Sequence, residues 1–158
     1  MSEERNKLFD VRLDDHNFFP TNPEVEHERR IAISDLLEEN RFKIVGRDLG
    51  PYALCLKLRE SRLIFEIAAD DGHHVADFFL SLLSFRKIIR DYFTVCERYY
   101  QAVKTAQPAK IQSIDMGRRG LHNEGADLLQ EKLSKQVDVD ENTARRLFTL
   151  ICVLHVRV

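Results

Sequence analysis

The nine residues Gly117 to Gly125, GRRGLHNEG, gather half of the chain's six glycines with two arginines, a histidine, an asparagine and a glutamate. If a helix runs through them, Asp115, Arg118, Arg119 and His122 fall at i, i+3, i+4 and i+7 and share one face. A carboxylate, two guanidiniums and an imidazole together suit an anion. Guanidinium offers forked donors to phosphate or carboxylate, and imidazole can take up a proton beside one. If the helix breaks instead, Gly117 to Gly120 form a loop and His122 to Gly125 open a new helix, whose free N–H groups also favour an anion. Either way the expected binding residues are Asp115, Arg118, Arg119, His122, Asn123 and Glu124, with Gly117, Gly120 and Gly125 shaping the backbone. Arg118 and Arg119 would clamp the anion, His122 and Asn123 would orient it, and Asp115 and Glu124 would hold the arginines. The competing reading is structural: exposed ion pairs worth little, and glycines that let helices pack closely.

Other chemistry finds less support. His122 and Glu124 could converge in a loop as the acid and base of a small hydrolase, the alternative function. Such a pair needs a nucleophile, yet Ser113 lacks a strand-turn-helix elbow and the cysteines sit among apolar neighbours, so enzymatic activity is left open. His73-His74, and His27 beside Glu24 and Glu28, lack the spacing of a zinc, iron or calcium site, so no metal or cofactor is expected. Gly117-Arg118-Arg119-Gly120 has the form of the GXXG loop with which KH domains clamp a nucleic-acid backbone. A KH loop leads into a helix of branched apolar residues, whereas LHNEGAD follows here, and four acids offset five bases between Gln107 and Lys135. A KH-like RNA binder is therefore the third reading.

A chain of 158 residues, 44% of them apolar, suits one domain over 1-158 with one substantial core. Charged residues are 32% of the chain and nearly cancel, leaving a formal charge of -2, so no whole-molecule field draws it to nucleic acid or an acidic membrane. MSEERNKLFD lacks the apolar stretch of a signal peptide, and the longest apolar run, Leu147 to Leu154 broken by Thr149, is too short to span a bilayer, which leads to a cytoplasmic expectation. Cys55, Cys96 and Cys152 read as buried thiols of a reducing compartment.

The elements that would position the cluster follow from periodicity. Leu8 to Leu13 alternates as a half-buried strand, and DDHNFFPTNP is turn chemistry. A helix opens with Asn22 as N-cap and Pro23 at its first position, and stops near Asn40. Phe42 to Val45, Tyr52 to Leu58, Leu63 to Ala68 and about His74 to Leu80 read as a meander, since such short connections join antiparallel neighbours. A helix capped by Ser84 reaches about Ala106. Another stretch begins at Pro108 and continues across the glycines as one helix or two, and a last helix, capped near Asp140 or Asn142, is apolar nearly all round and should be central. The sum is an α+β fold: an antiparallel four- or five-stranded sheet in the N-terminal half, covered by one N-terminal and three C-terminal helices, with nothing but helix beyond Ser84. Acids dominate Pro23 to Asn40 and bases Ser84 to Ala106, and some of the rings of Tyr92, Phe93, Tyr99 and Tyr100 should lie outside the core. A homodimer could cover them.

Taken with RLFTLICVLH (Arg146 to His155), DLLEEN (Asp35 to Asn40) and GPYAL (Gly50 to Leu54), the stretch IDMGRRGLHNEG resembles a bacterial family known as uncharacterised protein family 0262, over nearly the whole chain. The resemblance implies a small bacterial cytoplasmic protein and brings no established activity, cofactor or catalytic residues. The expected partner is an anionic small molecule or a protein bearing an anionic group.

Overall fold

The computed structural model describes residues 5–14, 23–47 and 49–156; the expected cap Asn22 and most of the turn before it lie outside them. The chain runs β1 (Leu8–Leu13), α1 (Pro23–Glu38), β2 (Phe42–Ile44), β3 (Tyr52–Arg59), β4 (Arg62–Ala69), β5 (His74–Ser81), a 3-10 turn (Leu82–Phe85), α2 (Arg86–Thr105), α3 (Pro108–Leu133), β6 (Val137–Val139) and α4 (Glu141–Val156). This is the α+β order that the periodicities predict.

The larger sheet has the strand order β1-β3-β4-β5. Its β3–β4 and β4–β5 pairs are antiparallel, as their short connections require. Between β3 and β4 the turn is only Glu60 and Ser61, both at positive φ, the backbone of a type I′ hairpin. The sheet is nevertheless mixed, not antiparallel throughout. β1 runs parallel to β3, with Leu8 beside Tyr52 and Leu13 beside Leu56. The reason is α1, which carries the chain back to the end where β1 began, so the next strand of that sheet repeats its direction.

A second correction concerns β2, expected in the meander. It leaves the large sheet and pairs antiparallel with β6, Phe42 opposite Val139 and Ile44 opposite Val137. A strand at Val137–Val139 overturns the expectation of nothing but helix beyond Ser84. Val-Asp-Val is too short to display a period; it is a strand because both valines are buried against a distant partner while Asp138 faces out, 3.3 Å from Arg41.

The helices are set by their ends and by one central member. Ser81, not Ser84, is the cap before α2: its Oγ accepts from Leu83 N at 3.2 Å and starts the 3-10 turn. Asn40 does stop α1. Its side chain accepts from Leu8 N at 2.7 Å and donates to Leu8 O at 3.0 Å and Leu36 O at 2.6 Å, tying the helix to β1. α3 is one helix of 26 residues, starting with Pro108 in its first turn and passing unbroken through all three glycines. Asp140 caps α4, accepting from Thr143 N at 3.0 Å. Ala144, Leu147, Phe148, Leu150 and Ile151 of α4 are fully shielded, so α4 is the central helix, in contact with α1, α3 and β3.

The rings of α2 are accounted for within the chain. Tyr92 meets Phe148 edge-on, Phe93 lies against His155, Tyr99 lies beneath Arg118, and the Tyr100 hydroxyl donates to Glu28 at 3.1 Å. Only Tyr92 is buried; Phe93, Tyr99 and Tyr100 stay partly exposed, so part of the aromatic surface does lie outside the core. Cys96 and Cys152 are buried thiols as expected. Cys55 is not in the apolar setting expected of it: it is half-buried opposite Glu66 and close to Lys57, and burial pushes its thiol up.

Candidate functional site

Because α3 is unbroken, Asp115, Arg118, Arg119 and His122 share one face. Asp115 grips both arginines: Oδ1 accepts from Arg118 at 2.6 and 3.1 Å, and Oδ2 lies 3.0 Å from Arg119 Nε. The bond from Arg118, aided by Arg119, holds the Asp115 carboxyl below its ordinary range. The arginines are not equivalent. Arg118 lies 4.7 Å above the Tyr99 ring with 24% of its side chain exposed, whereas Arg119 is 70% exposed.

Arg118, Arg119, His122 and Asn123 wall one side of an open cleft of about 240 Å³. Glu124 does not join them. Two residues apart on a helix point about 200° away from each other, and Glu124 lines a separate groove between α2 and α3, with Lys87 and Asp91. This removes both its expected roles, as partner of His122 in acid–base work and as holder of the arginines. The Gly117 to Gly120 segment is helix, so there is no GXXG loop, and a Cβ at Gly117 or Gly120 would meet nothing within 4 Å. Close packing belongs to Gly125 alone, where a Cβ would collide with the Phe148 ring. That contact lets α3 and α4 approach closely at this point.

His122 is positioned by aromatics and by one hydroxyl. Tyr92 and Phe148 lie with ring centroids 5.4 Å from its own, and Nε2 is 2.8 Å from Thr149 Oγ1. Thr149 Oγ1 also lies 3.2 Å from Arg145 O, which can accept its hydroxyl proton; in that arrangement His122 Nε2 is the donor to Thr149. Burial, then the charges of Arg145 and Arg118, push the imidazole down to about 4. At neutral pH it is an uncharged hydrogen-bonding group, not the cation that a lone exposed histidine could become.

The facing walls were not found by sequence reasoning. α4 contributes Arg145, Arg146 and Thr149, α1 contributes Glu28 and Asp35, and Tyr92 of α2 adds an aromatic side. A signal existed. Asn142, Arg145, Arg146 and Thr149 repeat the i, i+3, i+4, i+7 spacing of Asp115, Arg118, Arg119 and His122, and they form the polar stripe of a helix otherwise read as apolar all round. Arg146 Nε is 3.5 Å from Asp35, and its Nη1 donates to Asn142 O at 3.1 Å. The Arg145 guanidinium has no hydrogen-bond or ion-pair partner among the described residues. No cluster of three histidine, cysteine or acidic side chains fit to hold a metal occurs among them either.

Fold and cleft together define an α+β protein whose helical layer holds an arginine-rich cleft. The model of the uncharacterised protein family UPF0262 matches residues 5–157, and the chain belongs to that family. It is 57% identical over 152 residues to a UPF0262 protein of Brucella anthropi, covering 96% of this chain and 94% of the relative. Over 150 residues it is 52% identical to one of Hyphomonas neptunium, covering 95% and 93%. No solved structure matches the chain. No helix among the described residues is long and apolar enough to cross a membrane.

Proposed function

We propose that the protein is a binding or regulatory protein that recognises an anionic group, a carboxylate or a phosphate on a small molecule or partner, in the cleft between α1, α3 and α4. The observation that carries this reading is Arg145. A guanidinium held in a cleft without a counter-ion, close enough to a neutral histidine to depress its protonation, is a cation awaiting an anion. Arg118 and Arg119 are preset by Asp115, so their donors are already ordered when a ligand arrives. Binding is favoured over chemistry because His122 and Glu124, the expected acid and base, line separate recesses.

The test is a titration of the imidazole resonances of His122 with inorganic phosphate and with acetate. A bound anion offsets the charge of Arg145, so the histidine should protonate at higher pH when anion is present, and Arg145→Gln should raise its pKa without ligand and remove the response to ligand. If neither anion moves the His122 signals at tens of millimolar, the reading fails.

A further inference from the structure

The larger sheet ends on β5, and that edge is open. Just past the strand Leu82 N donates to Ser61 O at 2.8 Å, and Leu80 and Phe78 lie opposite Leu63 and Phe65. Antiparallel ladders alternate, so the even-numbered residues of β5 spend their N–H and C=O on β4. Those of Asp77 and Phe79, with the N–H of Ser81, point the other way. Among the described residues only Arg47 reaches that side, its Nη1 donating to Val75 O at 2.8 Å. β5 has neither the lysine nor the proline that commonly blunts a sheet edge.

The edge is also apolar on both faces. Phe79, 47% exposed, stands on the outer face opposite Ile64, and on the core face Phe78 and Leu80 are only partly covered. We propose that β5 pairs antiparallel with β5 of a second copy about a two-fold axis through Phe79, joining two four-stranded sheets into one of eight. This interface shares no residue with the cleft, and the two readings stand or fall separately.

The side chains select that register. With Phe79 opposite its counterpart, Phe78 meets Leu80 of the other copy on the core face, and Asp77 stands opposite the other copy's Ser81, whose neighbour on β4 is Arg62. Arg62 lies 4.7 Å over the Phe79 ring with no carboxylate partner among the described residues. Asp77 holds only the exposed His74, at 2.9 Å. Opposite charges therefore meet across the small serine, twice by symmetry. An axis through Asp77 would set two carboxylates face to face, and one through Phe78 would set Asp77 against Phe79 and call on Val75 O, which Arg47 occupies.

Sedimentation velocity of the full chain from about 10 µM to about 1 mM should show a reversible monomer–dimer equilibrium, the weak association that a short ladder supports. Phe79→Lys, at a position already exposed, puts two ammonium groups face to face on the axis and should raise the dissociation constant roughly tenfold or more. The register is read by cysteine. Phe79→Cys should form an intermolecular disulfide under mild oxidation, because residues opposed there have Cα atoms about 5.5 Å apart. Asp77→Cys, displaced from its own counterpart by four residues or about 13 Å, should not. Both variants keep the same native cysteines, so the contrast belongs to the new position, and the wild-type equilibrium stands without any variant. A chain still monomeric at about 1 mM overturns the proposal, even if the edge serves a strand of a different protein. So does a dimer indifferent to Phe79→Lys, or equal cross-linking at the two positions.

Discussion

At the scale of single residues, His122 makes the cleft sensitive to acid. Its folded pKa of about 4 lies below the ordinary 6.5, so between those values the unfolded chain holds a proton that the folded chain refuses. Stability should therefore be fully present above pH 6.5 and fall as pH drops toward 4, by up to about 2–3 kcal/mol. His155, also depressed by burial and Arg86, adds to the same slope. His122→Gln keeps a donor for Thr149 and removes the titration, so urea unfolding at a series of pH values should show a shallower loss in the variant. Parallel wild-type and variant curves would contradict the shift. Much of this face was legible, since the spacing of Asp115, Arg118, Arg119 and His122 is a property of any continuous helix. What depends on the neighbours was not. That Arg118 is half-buried over Tyr99 while Arg119 is exposed, and that His122 is neutral, follows from α2 and α4, whose approach no local pattern states.

Among the elements, α3 shows how unlike three glycines in one helix can be. Glycine costs about 0.5–1 kcal/mol relative to alanine in a helix interior, and nothing crowds Gly117 or Gly120. Alanine at either should stabilise the protein by about that amount. At Gly125 the same change should destabilise by about 1–3 kcal/mol, because the methyl meets the Phe148 ring and overpacks the contact between α3 and α4. Chemical denaturation of the three variants decides the matter, and a stable Gly125→Ala would mean that the helices can slide apart freely. The glycine-rich sequence invited a loop because composition alone cannot separate a flexible glycine from one demanded by a packed ring. The strands with alternating residues and the long apolar stripes of the helices were readable for the opposite reason: their partners lie on the same face of the same element.

For the whole molecule, what the sequence could not disclose is how distant segments meet. The parallel entry of β1, the departure of β2 from the meander and the existence of β6 all depend on pairings between remote parts of the chain, and a three-residue strand has no period to read. That remoteness has a consequence in time. The β2–β6 ladder joins Phe42 to Val139, so its formation must wait for a large loop to close, at an entropic cost that hairpins such as β3–β4 escape. Interactions of this kind are expected to be absent from the folding transition state and to act only as a latch on the finished molecule. Val139, buried against Phe42, can be trimmed to alanine to test this: stopped-flow measurements should show unfolding accelerated by roughly the whole of the lost stability, with the refolding rate nearly unchanged. Slower refolding would instead make this smallest sheet part of the nucleus, and the lifetime of the folded protein would no longer be set by a clasp of three residues on each side.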